Sequence, residues 1–102
     1  MDDNQIEVPP SFLALFTSPS GYRLTQPMPF VRERYELCED LAQMLTEQAS
    51  TALFKTGGSE RDVLASLERG LVEGGSGLEP PEAGWVVTRL AEVLGWERPA
   101  QE

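Results

Sequence analysis

Histidine is absent from this chain, cysteine occurs once, and acids outnumber bases 17 to 8. Each scarcity removes a class of chemistry. Without imidazole the commonest metal ligand and the commonest general base are both missing, so a zinc site has almost no ligands to draw on. The lone Cys38 cannot close an internal disulfide, and no histidine is available to activate its thiol as a nucleophile. A reducing cytoplasm is the default compartment for such a chain. No apolar run approaches the ~20 residues needed to span a bilayer. The opening "MDDNQIEVPP" has neither a positive n-region nor a small-residue cleavage site, so no secretory signal is expected.

What the chain has is acidity, spread evenly. The formal net charge is −9 over 102 residues, and residues 1–26, 27–56, 57–79 and 80–102 each carry −2 or −3. Uniform negative charge repels phosphate backbones and anionic lipid, so no direct nucleic-acid or membrane-surface binding is expected. Hydrophobic content of 40%, with four Phe, two Tyr and two Trp, suffices for a core and argues against disorder. At this length one domain over 1–102 is expected, with 1–7 and 97–102 frayed.

Periodicity predicts an all-α fold. Pro9-Pro10-Ser11 precedes "FLALF", where Phe12, Leu15 and Phe16 fall at i, i+3, i+4; proline suits a first helical turn, giving a short helix at about 10–17. "TSPSG" stops it, and "YRLTQPMP" (22–29) reads as an extended apolar connector. From about 30 to 54, Val31, Tyr35, Cys38, Ala42, Leu45, Ala49 and Ala52 alternate spacings of four and three, with Leu37, Leu41 and Met44 widening that stripe. The far side carries Glu33, Glu36, Asp40, Gln43, Glu47 and Ser50, which defines one long amphipathic helix. Gly57-Gly58 ends it, and Ser59 with Asp62 resembles a capping-box start for a helix at about 60–73. Pro80-Pro81 opens another at about 81–94, where Gly95 and Trp96 predict a Schellman stop. The long helix and this C-terminal hairpin together make a small helical bundle.

Chemical motifs are scarce. "FKTGGSER" and "VEGGSGLEPP" are glycine-rich, but a phosphate loop needs Gly-Lys-Ser/Thr after a strand; here the lysine precedes the glycines and no strand pattern exists, so both read as helix punctuation. Glu36, Glu39 and Asp40 share a turn, yet no second ligand-bearing loop accompanies them, and a solvated face is the simpler reading. Cys38 lies on the apolar stripe and reads as a small core residue. No catalytic residue, metal ligand or cofactor site is assigned.

Two groups qualify as partner-binding candidates. The aromatic and apolar residues Phe12, Leu15, Phe16, Tyr22, Trp85 and Trp96 exceed what the centre of so small a bundle needs. They either close the ends of the bundle or dock on a partner, as interface aromatics do. Glu33, Glu36, Asp40 and Glu47 form an acidic face able to mimic nucleic acid toward a basic groove. Heptad spacing from Val31 to Ala52 also admits a homodimer through the long helix, against a monomer whose later helices fill that stripe.

The runs "IEVPPSFLALF" and "RYELCEDLAQMLTEQA" resemble a family of short bacterial proteins that begin with a Val-Pro-Pro segment and continue into an Arg-Tyr-Glu-Leu-Cys-Glu-Asp-Leu-Ala helix. Some of its members carry the label of chaperone-type ATPase. The resemblance covers about the first half of the chain and implies no particular activity or site residues. An ATPase activity finds no support in either glycine loop. The expectation is therefore a non-catalytic cytoplasmic interaction module: an adaptor, regulator or small chaperone-like protein. The alternatives are the acidic mimic, and a small-ligand or enzymatic role in a pocket between the N-terminal helix and the bundle.

Overall fold

Helix-forming stretches punctuated by proline at their starts and glycine at their ends leave little room for anything but helices. The computed structural model describes residues 7–21 and 23–96. Tyr22, expected as a docking residue, lies outside them, as do the ends expected to fray (1–7 and 97–102) apart from Glu7. Four α-helices occur among the described residues: α1 (Pro10–Leu13), α2 (Met28–Thr56), α3 (Glu60–Glu73) and α4 (Pro80–Leu94). The fold is an all-α helical bundle in which the long α2 packs against α3 and α4. Among the described residues no helix is long and apolar enough to cross a membrane.

Contacts divide the chain into two compact units, one up to Leu37 and one from Cys38. In the first, α1 is shorter than the expected 10–17: after one turn the chain tightens into a 3₁₀ turn at Ala14–Phe16. Thr17 then returns its hydroxyl to the Leu13 carbonyl at 2.7 Å, capping the last turn. Beyond it the chain doubles back. Thr17 and Leu24 form an isolated antiparallel bridge, and the Ser18 amide donates to the Arg23 carbonyl at 2.8 Å. Residues 23–25 of the expected extended connector are therefore paired back onto residues 16–18.

The last two residues of that connector belong to α2, which starts at Met28 and not at Phe30. Pro29 sits in the first turn, where its missing N–H costs no intrahelical bond, and the Val31 amide reaches the Pro27 carbonyl at 3.1 Å. At the other end Gly57 accepts a φ of 65°, a left-handed conformation strained for any residue with a Cβ.

In the second unit α3 and α4 pack on each other, and both begin with caps. The Ser59 hydroxyl accepts from the Asp62 amide at 3.0 Å, as its position predicts. At α4 the Glu79 amide donates to the Glu82 carboxylate at 2.9 Å, which satisfies a side chain that is otherwise buried. The end of α4 has Schellman geometry: the Trp96 amide reaches the Ala91 carbonyl at 2.8 Å and the Gly95 amide reaches that of Glu92 at 3.2 Å. The buried apolar side chains of this unit are Cys38, Ala42 and Ala49 on α2, Val63 and Leu64 on α3, Leu78, and Ala83, Val86, Val87, Leu90 and Ala91 on α4.

The expected apolar stripe on α2 needs one correction. Val31, Cys38, Ala42 and Ala49 are buried, but Leu37 and Met44 are exposed. At about 100° per residue both lie more than a quarter-turn from the buried line. They belong to the outer face, among the acids.

Candidate functional site

The N-terminal aromatics form a cluster of their own. Phe12 has no exposed surface; its ring lies 5.6 Å from that of Phe16 and 5.7 Å, edge-on, from that of Tyr35. Phe16 in turn meets the exposed Phe30 edge-to-face at 6.0 Å. Such tilted and edge-on pairs match the quadrupoles of the rings. Phe12 is thus a core side chain and is corrected out of the docking group. Leu15 and Phe16 are half-buried, as are Trp85 on α4 and Trp96 just beyond it.

The acidic candidates Glu33, Glu36, Asp40 and Glu47 are all exposed on α2. Glu39, one position out of register with them, turns to α4. Its carboxylate takes two bonds from the Arg89 guanidinium, from Nε at 3.0 Å and Nη2 at 3.2 Å, and Arg89 also reaches Glu92 at 3.3 Å. The Arg89 hydrogen bonds hold the Glu39 carboxyl below its usual range, against a smaller opposing effect of burial, and Gln43 adds a further bond in the same direction. A catalytic acid needs the opposite displacement. Among the described residues no three Cys, Asp or Glu side chains group as a metal site would require.

The surface that sequence reasoning missed lies on the outer face of the second half of α2. Phe54 is 90% exposed and Met44 72%. A shallow groove of about 520 Å³ runs along this face, lined by Met44, Glu47, Gln48, Thr51, Ala52 and Lys55. All these positions fall within about 100° of Thr51 around the helix, opposite the buried Ala42 and Ala49. The signal was present in the spacing: Met44 and Thr51 are seven apart, and Phe54 lies three beyond. Compared with protein-family models, curated proteins and solved structures, the chain matches none.

Proposed function

We propose that this protein is a non-catalytic interaction module that engages a polypeptide partner through the outer face of the second half of α2. The observation that carries this reading is the exposure of Phe54 and Met44 on one helical face. Burying a side chain of either kind is worth ~1.5–3 kcal/mol, and the fold leaves both in water. Two large apolar side chains this exposed on one helical face, set among polar neighbours, suit a protein-binding surface. An adaptor, regulator or small chaperone-like role in the cytoplasm is compatible with such a face, as is the chaperone part of the label borne by the bacterial family the sequence resembles.

The test is capture by the immobilised full chain, compared with a Phe54→Ser/Met44→Gln variant. A partner held by the parent chain and lost by the variant supports the reading. Capture indifferent to both substitutions overturns it, as does turnover of a substrate by the purified protein. Acidic mimicry through Asp40 and Glu47 predicts a different signature: binding that survives the apolar substitutions and collapses with added salt.

A further inference from the structure

We propose that the outer face of the second half of α2 is covered by a second copy of this chain, the two helices running antiparallel about a two-fold axis at Thr51. This rests on the reading of that face as the docking surface and names its occupant.

The charge pattern points to it. Between Leu41 and Ser59 the chain has a single acid, Glu47, and a single base, Lys55, the only lysine in the protein. They stand four residues to either side of Thr51. In an antiparallel pair centred there, the residue four before the axis is level with the residue four after it in the other copy. Glu47 of each copy thus meets Lys55 of the other, twice over, while Thr51 meets its own equivalent. Around the helix Glu47 lies about 40° to one side of Thr51 and Lys55 about 40° to the other. These are the two seam positions that share a layer when helices pack antiparallel. Phe54, about 60° to the Glu47 side of Thr51, flanks the seam next to Glu47 of the second copy and is partly covered.

Electrostatics select both the place and the direction. A chain of net charge −9 repels its own copies. Residues 41–59 are a stretch where the net charge is zero, and depletion of charge is what interface centres show. A parallel pair would set Glu47 against Glu47 and Asp40 against Asp40; the antiparallel pair sends the two Asp40 side chains to opposite ends. The overlap is about three helical turns, short of the ~1,000 Å² of a stable interface, so the pair is weak, with Kd on the order of 10⁻⁵–10⁻³ M.

Sedimentation equilibrium of the full chain from about 10 μM to about 1 mM tests this. The expected result is reversible dimerisation, weakened about tenfold by Glu47→Lys and by Lys55→Glu, and returned to within about threefold of the parent by the double exchange. The two single exchanges move net charge in opposite directions, so loss in both cannot come from net charge. Both positions are exposed, and unchanged far-ultraviolet circular dichroism confirms that each variant folds. A parent chain that stays monomeric at about 1 mM overturns the proposal. So does a dimer that the single exchanges leave intact, or that the double exchange fails to restore. Either failure, alongside Phe54-dependent capture of a different polypeptide, leaves the docking face standing and replaces only its occupant. Failure of both experiments removes the face itself.

Discussion

Phe12 and Phe54 are the same residue in opposite circumstances, and truncating each to alanine separates core from surface in one experiment. Phe12 has no exposed area and touches two rings; Phe54 is 90% exposed. Removing a fully buried phenyl costs ~3–5 kcal/mol, the transfer energy of the ring plus the cavity left behind. The tilted contacts to Phe16 and Tyr35 place Phe12 toward the upper part of that range, since aromatic pairs add ~0.5–1.5 kcal/mol beyond burial. Phe54→Ala forfeits almost no burial, and alanine is the better helix former by up to ~0.5 kcal/mol. Its effect should be neutral or slightly stabilising. Domains of this size are stable by roughly 5–15 kcal/mol, so Phe12→Ala removes a large share. With a urea dependence of ~1–1.5 kcal/mol per molar, its midpoint falls by about 2–5 M. Urea titrations followed by circular dichroism at about 5 μM, below the range of self-association, read both variants. A loss under ~1 kcal/mol for Phe12→Ala would refute its place in the core. An equal loss for Phe54→Ala would refute the outer-face assignment.

The Glu39–Arg89 pair gives a pH test. The folded carboxyl titrates below its unfolded value, so its stabilisation is fully present above about pH 4.5 and is lost as pH falls through the folded value. Because Arg89 is 37% exposed, solvent screens the pair, and Glu39→Gln should cost only ~0.5–1 kcal/mol at neutral pH. Urea midpoints of the parent and variant should differ near pH 7 and converge near pH 3; a gap that widens on acidification contradicts the pairing. Gly95→Ala places a Cβ on a residue with φ of 75° and should lower stability by ~1 kcal/mol, with Gly95→Asn losing less, as thermal melts can rank.

How much of this was legible in advance follows from the range of each interaction. The helix punctuation could be read because its chemistry is local. Ser59 caps a residue three positions on, and Gly95 and Trp96 fold back over a single turn. The expected start of α2 at about residue 30 falls two residues late, because a proline ends a connector as readily as it suits a first helical turn. The Glu79–Glu82 cap has no plain signature in the sequence, because glutamate is not among the usual N-cap residues. Burial of Phe12 depends on Tyr35, and the tie between α2 and α4 joins Glu39 to a residue fifty positions away. A single sequence carries no signal for either. Leu37 and Met44 were assignable in principle. Spacing alone admitted them to a widened stripe, whereas their angles place them with Asp40 and Glu47.

The position of Lys55 also governs how the protein can be handled. It is the only side-chain amine in the chain, so it shares with the α-amine whatever an amine-directed reagent delivers: a dye, a biotin, or the matrix of a sensor chip. It lines the groove beside Thr51 and Ala52. Coupling chemistry that would be scattered harmlessly over a lysine-rich protein would here block one surface selectively, and immobilised material would look inert for reasons of attachment. Thiol coupling is no remedy, since Cys38 is buried. Tags are better placed genetically, and under the proposed pairing a cross-link mapped to Lys55 of both copies would serve as a position-specific ruler.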